Sequence, residues 1–268
     1  MPEADPAVFA HRGFAGVAPE NTVPAVERAA REGADWVEVD AVPTADGDVV
    51  AFHDRRLDAG PDSRGITDAA GVVWETPTPT VRGATVLDSA ATVPLLAELV
   101  AALPDDVGVN VELKNPGRDD VRPDAALSGD DLAAAADRWE PFVAAVASAL
   151  ADAGNPVLLS SFAAGALAVA REVASGYPRA AIATDAETGL ALARRHDCRA
   201  VHPPVDAFLE GGGVPAVRSD APDVLDRARE AGLDANVWTV RTWHEAETLR
   251  RLGVDGLIAD YHGLLFDH

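Results

Sequence analysis

Short β-branched or apolar runs alternate with Ala/Leu-rich amphipathic segments along almost the whole of this chain, and that alternation is compatible with few folds. Strand signals occur at residues 7–10, 36–42, 49–52, 107–113, 156–161, 179–184, 198–203, 234–240 and 254–259. Most are separated by helical patterns such as NTVPAVERAAREG, DRWEPFVAAVASALADAG and TWHEAETLRRLG, several with a glycine just past the last turn. In the second of these, Phe142, Val143, Val146 and Leu150 share one face. Sustained strand–helix–strand succession means parallel pairing with right-handed crossovers. Eight or nine strands in 268 residues fit an α/β fold of the (β/α)8 TIM-barrel type, which takes about 250 residues. An open doubly wound sheet is the competing architecture, but no Gly-x-Gly-x-x-Gly follows a strand, so its usual dinucleotide form loses support. Residues 54–92 interrupt the pattern with Pro, Gly, Thr and Asp throughout. That interval is too long for an ordinary connection and reads as an inserted lid or small excursion. With no internal repeat, one domain over residues 1–268 is expected.

A strand in a closed parallel sheet is covered on both faces and should be almost wholly apolar. In WVEVDAV, Glu38 and Asp40 stand two apart and share a face, opposite Val37 and Val39. In VNVELK, Asn110, Glu112 and Lys114 do the same against Val109, Val111 and Leu113. Three converging buried carboxylates need a cation or protons, because burying each unpaired costs several kcal/mol. Oxygen donors without cysteine point to a hard divalent ion, Mg2+ or Ca2+. A plain interior salt bridge between Lys114 and one carboxylate is the competing account. His11 follows the first strand run and His53 follows the run at 49–52, and barrels build their sites where strands pass into loops. Both histidines are therefore expected at the same mouth as Glu38, Asp40 and Glu112.

Composition limits the partners. The formal charge is -22, from 44 acidic and 22 basic residues. Such a charge repels nucleic acid and anionic headgroups, so neither is expected as a partner. No run of 18 apolar residues exists and no basic-then-apolar leader opens the chain, so the expectation is a soluble, cytosolic protein with no stable membrane insertion. Single Cys198 has no partner for a disulfide and reads as a small core residue. Lys114 is the only lysine. High acidity with arginine in place of lysine points to a salt-rich, halophilic interior, where the Debye length shrinks to roughly 3 Å at 1 M salt. A GC-rich genome is the alternative source of that bias.

The blocks HRGFAGVAPENT (11–22), GADWVEVDAVPTADGDVVAFHD (33–54), VELK (111–114), SSF (160–162) and ANVWTV with GVDGLIAD (235–260) together resemble the glycerophosphodiester phosphodiesterases, in order and over nearly the whole chain. The resemblance implies a barrel enzyme that hydrolyses glycerophosphodiesters to glycerol phosphate and an alcohol with one divalent cation. It implies that His11 and His53 are the acid/base pair, that Glu38, Asp40 and Glu112 are metal ligands, and that Arg12 and Lys114 bind phosphate. It also suggests that Glu20 braces the site. The family's Arg-Thr-Thr run after the second histidine is missing here, and VPLLAEL replaces its usual helix start, which bears on substrate preference. Trp238 is a candidate apolar wall for the substrate, with a core position as the alternative. His202 ends a strand and is read as structural, with a place lining the cleft as the alternative, and His196, His244, His262 and His268 are read as solvated. Two rivals stand beside this reading. A metal-dependent amidohydrolase barrel would normally show His-x-His on one strand, which is absent. A non-catalytic binder of phosphate-bearing ligands would have no need of two placed histidines.

Overall fold

The computed structural model describes residues 5–211 and 216–265. In chain order the elements are β1 (Ala7–His11), α1 (Val23–Arg31), β2 (Trp36–Pro43), β3 (Val49–Ala51), β4 (Ala59–Gly60), β5 (Ser63–Arg64), α2 (Thr78–Gly83), α3 (Leu96–Ala101) and β6 (Gly108–Leu113). Then come α4 (Gly129–Ala149), β7 (Val157–Ser161), α5 (Ala164–Val173), β8 (Arg179–Ile182), α6 (Ala186–Arg195) and β9 (Ala200–His202). The last are β10 (Leu209–Glu210), β11 (Ala216–Val217), α7 (Ala221–Glu230), β12 (Asp234–Val240), α8 (Trp243–Leu252) and β13 (Gly256–Ala259). Helix ends follow local chemistry. Thr22 Oγ1 accepts the Ala25 N–H to open α1. Thr242 and Glu245 form a reciprocal cap on α8, and Gly253 ends that helix at φ 77°.

Strands β1, β2, β6, β7, β8, β9, β12 and β13 pair in parallel, and the β1–β2 pairing closes the ring, giving the expected (β/α)8 barrel. One strand signal belongs elsewhere. β3 pairs antiparallel to β2, with Ala41 opposite Ala51 and Pro43 opposite Val49, and it stands outside the ring.

Alternation along each strand separates two apolar layers. Outward residues such as Val37, Val39, Val109, Val111, Leu159 and Val237 pack against Val26, Leu99, Val143, Leu167 and Leu249 of the helices. Each such side chain contributes about 1.5–3 kcal/mol when fully buried. Inside the ring, Phe9, Leu158, Ala180, Ala200 and Ile258 pack together, with Trp36 stacked on Phe9 at 5.4 Å. Gly108 lies opposite Trp36, and a Cβ there would fall 2.3 Å from the indole, so glycine makes room for the ring. Residues 54–92 form a packed excursion with its own core. Leu57, Val73, Val81, Ala84 and Val86 gather on Val42, Val50 and Phe52.

Candidate active site

The polar end of the barrel is assembled mainly by its first strands. After His11 the chain turns sharply through Arg12 (φ 52°), Gly13 (φ 79°) and Phe14 (φ 61°). Gly13 is required twice over, since its φ is left-handed and a Cβ would sit 2.9 Å from Ala25. This turn lets the Arg12 N–H donate to Glu38 Oε2 (3.1 Å). Asn21 then braces Asp40 from both sides. Its Nδ2 donates to Asp40 Oδ2 (2.8 Å), and its Oδ1 accepts the Asp40 N–H (3.1 Å).

Glu38, Asp40 and Glu112 are 4%, 1% and 7% exposed, and one oxygen from each lies within 4.8 Å of the others. Register explains the convergence, because Asp40 on β2 is directly opposite Glu112 on β6. Lys114 Nζ stands 3.1 Å from Glu112 Oε1 and 3.4 Å from Asp40 Oδ1. Arg12 Nε is 3.1 Å from Asp40 Oδ2. Two cations thus face three acids. Burial, then repulsion from Asp40 and Glu112, raises Glu38 well above the ordinary carboxyl range. Burial also raises Glu112, against the pull of Lys114. For Asp40 burial works upward, but Arg12 and Lys114 outweigh it and hold the group well below the usual range.

These residues fit a divalent cation. Oxygen ligands about 2.3–2.6 Å from a Ca2+ ion lie at most roughly 5 Å apart, the span found here. Asp40 Oδ1 is buried and accepts no hydrogen bond, and Glu38 is raised despite the nearby charges of Arg12 and Lys114. Among the described residues this all-carboxylate trio is the one cluster suited to a metal, and no histidine enters it, unlike the amidohydrolase alternative.

Both histidines are held by a carboxylate at Nδ1. His11 Nδ1 meets Asp260 Oδ1 at 2.6 Å, and His53 Nδ1 meets Asp54 Oδ1 at 2.8 Å. An Nδ1–H donated to a carboxylate leaves Nε2 unprotonated in the neutral ring. His11 Nε2 is 4.0 Å from Glu38 Oε2. Burial lowers the pKa of both rings despite these carboxylates, so the neutral form extends below the ordinary histidine range.

A chamber of about 330 Å3 is lined by His11, Arg12, Glu38, His53, Glu112, Lys114 and Trp238. Asp40 stands behind this wall, and Glu20 behind Arg12, whose Nη1 donates to Glu20 Oε1 (3.0 Å). All nine candidates from the sequence therefore converge. Trp238 is fixed by its Nε1–H to His202 O (2.7 Å) and by an edge contact with Phe162, ring centres 5.6 Å apart. A second, larger chamber of about 730 Å3 shares His53, Glu112, Lys114 and Phe162 with the first. Arg55, Asp62 and Trp74 of the excursion wall it, opposite Arg118 and Asp119 of the loop after β6.

Several placements differ from expectation. His202 takes the alternative placement and lines the smaller chamber, 1% exposed, and burial pushes its pKa down to about 3. His196 is buried rather than solvated, with its pKa pushed down to about 4 by burial and neighbouring arginines. His262 is half-buried, 3.5 Å from Glu32 Oε2, and His244 also is partly covered. His268 lies outside the described residues. Sequence reasoning did not single out Asp260 or Arg64. Asp260 had a signal, an acid directly after the final barrel strand, whereas Arg64 had none.

The family model of the glycerophosphoryl diester phosphodiesterase family matches residues 11–264. A probable glycerophosphodiester phosphodiesterase 2 of Mycobacterium tuberculosis is 30% identical, covering 97% of this chain and 89% of that one. The uncharacterized protein YqiK of Bacillus subtilis is 28% identical over 95% of this chain and 94% of its own. Among solved structures, an Oleispira antarctica phosphodiesterase in complex with the product sn-glycerol-3-phosphate superposes with a TM-score of 0.75 at 26% identity, covering 96% of this chain and 94% of that one. By the span of the family match and the full-length relatives, this chain belongs to the glycerophosphoryl diester phosphodiesterase family.

Proposed function

We propose that the chain, working as one unit, hydrolyses glycerophosphodiesters to glycerol phosphate and an alcohol, with His11 and His53 moving the protons. One observation carries this reading. Two imidazoles, each anchored at Nδ1 by a carboxylate, line the same chamber as Arg12, Lys114, Glu38 and Glu112, with Asp40 directly behind its wall. Arg12 offers a planar fork to the phosphate and Lys114 a compact charge. The P–O bond to the alcohol breaks while a new P–O bond forms to the attacking oxygen. That oxygen is water's in direct hydrolysis, or the substrate glycerol's own, in which case water then opens the resulting cyclic phosphate. One neutral imidazole accepts the proton of the attacking hydroxyl, and the other, protonated, donates to the departing oxygen. Both rings are lowered, which keeps the accepting ring neutral near and below neutrality, while the donating ring has to take up its proton before the step. Trp238 and Phe162 give the substrate an apolar wall. Glu38, Asp40 and Glu112 would hold Mg2+ or Ca2+, and such an ion supplies charge neutralisation at the phosphoryl group when bound.

The test is glycerol phosphate release from glycerophosphocholine, first with chelator and then with Mg2+ or Ca2+ restored. Metal-dependent release is expected, and no release with any divalent ion would sink the reading. The setting we infer is cytosolic and salt-rich. It is supported by the charge of -22 and by the absence, among the described residues, of any helix long and apolar enough to cross a membrane. The thermal midpoint should rise steeply between low and molar salt, and a flat response would remove the halophilic part.

A further inference from the structure

Two carboxylates that hold site residues from behind are themselves held by one arginine of the excursion. Asp54 is 3% exposed and its Oδ1 meets His53 Nδ1. Glu20 is 6% exposed and its Oε1 accepts from Arg12 Nη1. Arg64, in the second strand of the β4–β5 hairpin, reaches both. Its Nη1 and Nη2 donate to Glu20 Oε2 and Oε1, each at 2.7 Å, in a fork-on-fork pair. On its other edge Nη2 and Nε donate to Asp54 Oδ1 at 2.8 and 3.1 Å, and the Arg64 backbone N–H donates to Asp54 Oδ2 at 2.7 Å. A continuous chain results, His53–Asp54–Arg64–Glu20–Arg12–Asp40.

Resting on the catalytic reading above, we infer that Arg64 is a positioning residue for the hydrolysis, fixing His53 through Asp54 and Arg12 through Glu20. A planar guanidinium with donors on two edges can satisfy two carboxylates at once, which a lysine ammonium, a point charge, cannot do with fixed geometry. Without it, two nearly buried carboxylates face each other with one partner apiece, and their repulsion moves them. Each then carries its imidazole or guanidinium away from the chamber. Arg64 itself lines neither chamber, so it acts only through these partners. Its side chain is 45% exposed, so a small cation from solution can reach the gap left by its removal. The excursion thereby does more than wall the larger chamber, since its hairpin completes the support of the smaller one.

The experiment uses the metal-loaded full chain and glycerophosphocholine. Arg64→Gln should lower kcat by roughly 10–100-fold, the range for losing an outer partner of a placed group. Its circular dichroism should be unchanged and its KM should move less than kcat. Arg64→Ala should regain part of its lost kcat when millimolar guanidinium is added, while the wild type does not respond. Arg56→Gln, in the same segment but paired to Asp58 away from the site, should keep wild-type turnover. Should Arg64→Gln fail to fold, Arg64→Lys keeps the charge and removes the fork, and at least about tenfold loss is expected of it. Near-normal kcat in these variants, an equal loss in Arg56→Gln, or no response to guanidinium would overturn the inference. If the wild type itself releases no glycerol phosphate, the proposed function fails instead.

Discussion

The chamber and the rest of the molecule carry the same kinds of ionisable residue, but Glu38 and Glu112 in the chamber are pushed the opposite way from carboxylates paired with arginine elsewhere. Asp40, held by Arg12 and Lys114, follows the paired pattern. Outside the chamber, Glu247 sits beside Arg250 and Arg251, and hydrogen bonds from them bring its pKa down to about 2 although the residue is only 7% exposed. Glu187 and Asp120 are likewise lowered by Arg227 and Arg118. In the chamber, Glu38 and Glu112 are raised although Arg12 and Lys114 are close, because burial outweighs the pairing. Cations near carboxylates therefore do not distinguish a site from a surface. What distinguishes the chamber is a deficit of cation where water is excluded, a setting in which one more cation would be stabilising.

The largest effect that could break this contrast is on turnover. His11→Ala and His53→Ala should each lower kcat by about 10²–10⁴-fold, the usual contribution of a placed acid or base. Circular dichroism should stay unchanged. Steady-state kinetics on glycerophosphocholine checks this, and a near-normal rate in either variant removes that imidazole from the reaction. Next comes stability in the metal-free protein. Glu38 is raised, so the folded state keeps a proton that the unfolded chain gives up near the ordinary carboxyl value. Its contribution to stability is present below that value and is lost as pH rises through the raised folded value. Glu38→Gln should therefore stabilise the chelated protein near neutral pH by about 1–4 kcal/mol. The gap to wild type should close on acidification and when Mg2+ or Ca2+ is added. A thermal midpoint for Glu38→Gln below wild type in chelator would show that the chamber's charges are already balanced.

The barrel and its acidic trio were legible because period-2 alternation assigns faces whatever the surroundings. Glu38 with Asp40, and Glu112 with Lys114, could hardly point anywhere but inward together. His53 arrived where expected by another route. β3 is no barrel strand but runs antiparallel to β2, and the Phe52 N–H donates back to Asp40 O, so the chain descends to the rim before His53 leaves it. The burial of His196 and His202 was hidden because a histidine at a helix or strand end looks the same in sequence whether or not a neighbouring element covers it. Arg64 was invisible for a similar reason. Its partners come from positions 20 and 54, joined only once the hairpin folds back over the turn after β1.

Two smaller effects concern the exchange of arginine and lysine, and they sharpen the contrast together. Lys114 is the only lysine beside 21 arginines in 22 basic residues, and it lies between Glu112 and Asp40. A guanidinium there is larger and projects its charge further into a chamber of about 330 Å3. Lys114→Arg should cut kcat by at least about tenfold with the fold intact, and normal turnover would discard the point-charge role. The reverse exchange on the surface should be nearly silent. Arg82 pairs with Glu98, and Arg227 with Glu187, in contacts open to water. Exposed pairs of this kind contribute little, since solvent and salt screen them and two long side chains must be held still. Arg82→Lys and Arg227→Lys should leave kcat and the thermal midpoint close to wild type at both low and molar salt. If either destabilises the protein clearly, arginine is being used on the surface for its geometry as well. The single lysine would then mark a rule that holds over the whole molecule, not a demand peculiar to the chamber.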